Sequence, residues 1–358
     1  MAIACRVGMR IGMLLLLLLI LAVPRPLQAG PRAPADGLGM WVWSTSSFAT
    51  AEARQRLVRF SAKYRISHLD VQIRFTNDGQ NPRLRNENAF RDLILLAERY
   101  GITTAALRGH PRMFSAQNHE RSLRELNAII DFSESLPEKS SFKGVKYDVE
   151  PYLTKEWKVK GKPLNTLMHD YLVFLRKAKT TLGERAPHLW LAVDTPFWWD
   201  KDEFALEFEG EKKRFNEHVQ DLTDFIVIMS YRCSAKKVLS IIEDEKRYAE
   251  RIGKVILLSL ETIELQRDQD ISFWGLPKER LLDTVHELVR KAKEDPVIAG
   301  LMIHCYRSLL EKLDNDPSEQ SGERDTEPQE PGGNPNTNPF TENPKEGRGA
   351  EKIGAPQG

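Results

Sequence analysis

Residues 88–107 read NAFRDLILLAERYGITTAAL, and this stretch sets the reading of the whole chain. Phe90, Leu93, Ile94, Leu96 and Ala97 recur at helical spacing, so Asn88 to Tyr100 is expected to be an amphipathic helix. Gly101 stops it, and the β-branched, apolar run Thr103 to Leu107 follows at once as a strand. The same design recurs on both sides. Strands are predicted at Met40 to Trp43, His68 to Ile73, Thr103 to Leu107, Gly144 to Val149, Leu189 to Val193, Phe225 to Met229, Val255 to Leu260 and Ala299 to His304. Helical patterns fill the intervals, at Ala51 to Tyr64, Leu123 to Phe132, Leu164 to Leu182, Val238 to Ile252 and Leu281 to Ala292. Eight strand–helix units joined by right-handed crossovers close most economically into an α/β fold of the (β/α)8 TIM-barrel type, a single domain over residues 38–313. An open doubly wound sheet is the rival. It would usually carry a Gly-rich phosphate turn after the first strand, where this chain has Trp43-Ser44-Thr45-Ser46-Ser47.

The two ends read differently. Arg6 and Arg10 precede the apolar run Ile11 to Val23, Pro24 breaks it, and Leu27-Gln28-Ala29 offers small-residue cleavage before Gly30, so residues 1–29 are expected to be an export signal. The run is too short to span a bilayer, which takes about 20 apolar residues. The mature chain is therefore expected to be secreted or periplasmic, with no integral membrane anchor. Residues 315–358 hold seven Pro and seven Gly against only Phe340 and Ile353 as large apolar side chains, a composition expected of a disordered tail. With 52 Lys+Arg against 51 Asp+Glu, no overall field favours nucleic acid. Cys233 and Cys305 lack metal-type spacing, no His-x-His follows the first strand, and no phosphate loop appears, so neither a metal nor a cofactor is expected. Whether those two thiols are bridged is left open by the sequence.

In such a barrel the chemistry sits where strands end. The fourth strand closes as Gly144-Val145-Lys146-Tyr147-Asp148-Val149-Glu150-Pro151, and alternation puts Lys146, Asp148 and Glu150 on one face. Two adjacent carboxyls raise each other's pKa, which suits Glu150 to act as a general acid. Glu261 closes the seventh strand as a possible second carboxylate, nucleophile or rim residue. Asp194 closes the fifth strand, and His304 and Tyr306 share an inward phase at the end of the eighth. Arg74 and Arg108 end the second and third strands, where they could meet site carboxylates or an acidic sugar. Trp43 and Trp198 lie at or after strand ends, where flat aromatic faces suit pyranose rings.

These residues carry a resemblance. The fourth strand is similar to the DGxDxDxE strand of the family 18 glycoside hydrolases, the chitinase-like barrels: Gly144 matches its Gly, Asp148 its last Asp and Glu150 its proton-donating Glu. Met229-Ser230-Tyr231 resembles the family's Met-x-Tyr, whose Tyr holds the substrate's acetamido group. The chain departs from the pattern at Lys143 and Lys146 in place of the first two acids, at Arg232 in place of the Asp after the Tyr, and at His304 in place of a Trp. It also resembles uncharacterised exported barrel proteins with an Asp-x-Glu-Pro fourth strand. The resemblance implies an exported glycoside hydrolase acting on a polysaccharide or glycan, with Glu150, Asp148 and Glu261 as catalytic residues. Tyr231, Arg232, His304, Tyr306, Asp194, Trp43 and Trp198 would bind substrate. The alternative is a catalytically silent barrel that grips glycans.

Overall fold

The computed structural model describes residues 37–76, 80–159, 161–265 and 270–314. The segments read as export signal and tail lie outside them. Eight parallel strands close a barrel: β1 (Gly37–Val42), β2 (Ile66–Gln72), β3 (Thr103–Arg108), β4 (Gly144–Tyr147), β5 (Trp190–Pro196), β8 (Phe225–Met229), β9 (Val255–Glu261) and β10 (Ile298–His304), with β1 pairing β10 to complete the ring. The expected (β/α)8 architecture is the one found. Helices α1 (Ala51–Lys63), α2 (Glu87–Arg99), α3 (His119–Glu134), α4 (Lys162–Arg185) and α8 (Lys278–Glu294) fall on the predicted amphipathic stretches. The stretch Val238 to Ile252, expected as one helix, is two: α6 (Ala235–Ser240) and α7 (Glu243–Arg251). The sequence reading also passed over the antiparallel hairpin β6 (Ala205–Phe208) and β7 (Glu211–Arg214), and the short helices α5 (Phe215–Leu222) and α9 (Tyr306–Leu313).

Strand alternation sorts the apolar side chains into two cores. The outer one lies between strands and helices and includes Val71, Leu93, Val145, Tyr147, Ile226 and Leu258. The inner one fills the barrel with Trp41, Ala105, Leu107, Trp190, Ala192, Phe225, Val227, Leu257 and Met302. Two glycines make room for the largest of these. Gly144 stands level with Trp190 on the neighbouring strand, and a Cβ there would fall 1.9 Å from the indole; a Cβ on Gly39 would fall 2.2 Å from the Met302 sulfur. Gly144 is thus a packing requirement of the barrel interior.

Above this apolar floor lies a buried charged layer. The Lys146 ammonium from β4 sits 2.5 Å from Asp70 Oδ2 on β2 and 3.0 Å from Asp194 Oδ1 on β5, with the Trp41 ring 3.8 Å beneath it. His68 Nε2 lies 3.0 Å from Asp70 Oδ1, and Trp41 Nε1 donates to Asp194 Oδ2 at 3.2 Å. Burial works against ionisation of Asp70, but Lys146 and His68 outweigh it and hold that carboxyl below its ordinary range. Asp194 goes the other way: burial, only partly offset by Lys146, pushes it up to about 8. At neutral pH the Lys146 ammonium therefore faces Asp70 as a carboxylate, with a proton retained on Asp194.

Lys146→Met should cost about 3–5 kcal/mol in urea denaturation at pH 7, because it leaves Asp70 buried without its cation. Asp70→Asn in the same chain should return part of that loss. Asp194 has its folded pKa raised, so the folded state binds the extra proton between about pH 4 and 8 and its contribution to stability falls as pH rises through that window. Asp194→Asn should flatten that slope; an unchanged slope would place the titrating group elsewhere.

Candidate active site

Beyond the charged layer, β4 carries two more inward side chains. Asp148 N still donates to Arg108 O at 2.8 Å, so the strand direction persists one residue past Tyr147. The chain then turns into the short helix Pro151–Leu153 with Glu150 at its cap. That path keeps Lys146, Asp148 and Glu150 on the inner face, rising from the closed layer to the mouth. Gly109 lets β4 approach here, since a Cβ on it would meet the Asp148 carbonyl at 2.6 Å. Asp148 is pushed up to about 7 by burial and by neighbouring Glu150, against the pull of Lys146 and of any charge on His304. Glu150 is also raised by burial, although the Tyr152 hydroxyl donates a hydrogen bond to Oε1 and a charge on His304 would lower it. Both side chains remain partly open to the mouth.

The opposite wall is built from three consecutive strands of the ring. Glu261 ends β9 and stands in register with His304 at the end of β10. Glu261 Oε1 accepts from the backbone N–H groups of Thr262 and Ile263, both at 2.8 Å, and His304 Nδ1 lies 3.0 Å from Oε1 and 2.9 Å from Oε2. On the next strand, just past β1, Trp43 Nε1 donates to His304 Nε2 at 2.7 Å. The Tyr231 ring lies nearly parallel to the imidazole, with centroids 6.2 Å apart. Ser230 fixes the chain before it, donating to Ser259 O and accepting from Ser259 N at 3.0 Å each. Burial, with Glu261, Asp148, Asp194 and Glu150 around it, holds the Tyr231 phenol protonated.

The structure thus brings Asp148, Glu150, Tyr231, Glu261, His304 and Trp43 to one mouth, with Asp194 one layer below. Arg232 lies on the rim, stacked over the Phe197 ring at 5.0 Å and donating to Tyr231 O; Glu261 takes His304 as its partner. Trp198 belongs to an aromatic cluster with Tyr152, Trp157 and Phe204, behind the Glu150 loop. Arg108 faces outward to Glu125 on α3 at 2.6 Å. Tyr306 is a correction: its ring packs against Phe60 of α1 at 5.5 Å, in the outer core. Strand alternation ends at His304; Cys305 caps α9 and joins the inner core, so Tyr306 turns away from the mouth. Cys233 and Cys305 are buried free thiols.

Two residues of the polar layer escaped the sequence reading. His68 and Asp70 alternate inward on β2, and an acid flanked by Leu69 and Val71 was the available signal. Among the described residues no group of three or more His, Cys, Asp or Glu is arranged to hold a metal ion, and no helix is long and apolar enough to cross a membrane.

No family model matches the chain, and no curated protein matches it by sequence. Solved structures do match in fold. A family 18 chitinase from Pseudoalteromonas aurantia is 11% identical over 75% of this chain and 95% of its own, with a TM-score of 0.50. An exo-β-1,4-mannosidase from Opitutaceae bacterium strain TAV5 is 11% identical over 75% of this chain and 52% of its own, with a TM-score of 0.52. A calcium-binding mutant of Bacteroides uniformis β-glucuronidase 2 is 11% identical over 75% of this chain and 30% of its own, also at 0.52. The chain carries a divergent (β/α)8 barrel of the kind on which these glycoside hydrolases are built.

Proposed function

We propose that the protein is an exported glycoside hydrolase whose general acid is Glu150. The observation that carries this reading is a carboxyl pair at the mouth of the barrel. Asp148 and Glu150 are both raised, and among the described residues no Lys or Arg forms an ion pair with either, while Lys146 on their face is taken up below by Asp70 and Asp194. A carboxyl raised by burial, oriented by Tyr152 and open to the mouth is suited to protonate a glycosidic oxygen. The likeness in fold to glycoside hydrolases adds to that reading, and so does the match of Gly144, Asp148, Glu150 and Tyr231 to the family 18 motifs. A glycan is the proposed partner, with Trp43 at the mouth as a stacking face.

The second carboxylate is better fitted to hold than to attack. Three N–H groups converge on Glu261 Oε1, from Thr262, Ile263 and His304, so its electron density is already engaged. The oxocarbenium centre is then stabilised by the substrate's own N-acetyl oxygen, steadied by the neutral Tyr231 phenol, and activity is confined to N-acetylated sugars.

Glu150→Gln should retain glycan binding in calorimetry and lose about 10² to 10⁴ in turnover. Glu261→Gln should be at least about tenfold milder than Glu150→Gln. Equal damage would make Glu261 the nucleophile. A native protein that binds glycans yet hydrolyses none across a broad panel, with Glu150→Gln binding equally well, would make this a glycan-binding barrel. Amino-terminal sequencing of the exported product should start near Gly30.

The acid must hold its proton, so kcat/KM should fall as pH rises through the pKa of the Asp148–Glu150 pair, which burial raises above the ordinary carboxylate range. Asp148→Asn removes the like charge beside Glu150 and should move that falling limb to lower pH. A limb that stays in place would mean the titrating acid is not this pair.

A further inference from the structure

His304 is pulled in two directions. Burial disfavours a charged imidazole, whereas the Glu261 carboxylate favours one and by itself would draw His304 up to about 10. The nitrogen that would have to take the second proton is Nε2, since Nδ1 already faces Glu261 at 2.9 Å. Nε2, however, is met at 2.7 Å by the Trp43 indole N–H, a group that donates and never accepts. Protonating Nε2 would point two N–H groups at each other and require one ring to swing away. The imidazole has little freedom to do so, bracketed by Trp41 at 5.5 Å and Tyr231 at 6.2 Å.

We propose that the Trp43 indole N–H locks His304 as the neutral Nδ1–H tautomer and thereby keeps an imidazolium away from the Asp148–Glu150 pair. Trp43 is then a positioning residue for the general acid, acting through His304. The consequence for catalysis rests on Glu150 being that acid; the lock itself does not. The charged and titratable groups facing His304 are Glu261 on β9, Asp148 and Glu150 beyond β4, Tyr231 beyond β8 and the adjoining Cys305. Of these, Glu261 alone favours its protonation at contact distance, and Asp148 and Glu150 are the groups its charge would lower.

The test is tautomer-resolved nitrogen NMR on histidine-labelled full-length protein, with the His304 signals assigned by their loss in His304→Gln. In the native protein Nδ1 should be protonated and Nε2 bare between about pH 5.5 and 8. In Trp43→Phe both nitrogens should carry protons at neutral pH. Trp43→Tyr, whose hydroxyl can accept as well as donate, should also release the lock and serves if the Phe form does not fold. A doubly protonated His304 at pH 7 in the native protein overturns the proposal, as does an unchanged Nε2 in both Trp43 forms. The falling limb of kcat/KM should move down by about one pH unit in Trp43→Phe and return when His304→Gln is added. If the lock is seen by NMR while no glycan is cleaved, it is the glycosidase reading that fails; if hydrolysis is seen while Nε2 is protonated in the native protein, it is the lock.

Discussion

The polar interior of this barrel depends on one ammonium. Lys146 reaches Asp70 and Asp194 from the strand between theirs in the ring's inner layer, so a single charge ties β2, β4 and β5 together. A lysine with 1% of its side chain exposed is costly unless paired, and its partners here are two acids with one proton between them. The Trp41 ring closes the layer from below, its face toward the ammonium and its N–H on Asp194. Aromatic face and indole donor thus serve opposite signs of charge in the same small volume.

That layer explains the chain's departure from the motif it resembles. An acid at position 146 would place a third carboxyl between Asp70 and Asp194 with no cation among them. Lysine there reverses the arrangement and consumes the charge internally. Asp148, the next inward residue, gains little from that ammonium because two nearer acids hold it, and burial then decides its protonation. The proton held at the mouth is in this sense set one layer below it.

The barrel was legible in the chain because its strands are short apolar runs bounded by helices with clear stop signals, as at Tyr100-Gly101. The hairpin after β5 was not, since Glu211 to Arg214 is four charged residues and resembles a solvated loop in everything but its pairing with Ala205 to Phe208. Asp148, Glu150, Glu261 and His304 were visible because inward phase at the end of a strand is a strong positional signal. Their partners were less so. That Glu261 faces His304 depends on the β9–β10 register, and that Lys146 pairs with Asp70 and Asp194 in preference to Asp148 depends on which strands stand across the lumen. Tyr306 shows the limit of counting by twos: alternation holds only while the backbone stays extended, and here the strand ends two residues earlier.

The two walls of the mouth are assembled by different rules. The acid wall descends one strand, so Lys146, Asp148 and Glu150 are linked by sequence, and each is separated from the next by the pleat. The opposing wall runs across three strands, so Glu261, His304 and Trp43 are linked by register alone and come from distant parts of the chain. A substitution in the first wall acts on its neighbours through charge. A change in the second acts through hydrogen-bond direction, because each member offers the next a donor or a lone pair and the sequence of donors is fixed at both ends: by the Thr262 and Ile263 N–H groups on Glu261, and by an indole that can only donate. With both ends of that line donating inward, the two nitrogens of His304 have room for one proton, and the charge facing Glu150 is determined by geometry on the far side of the barrel.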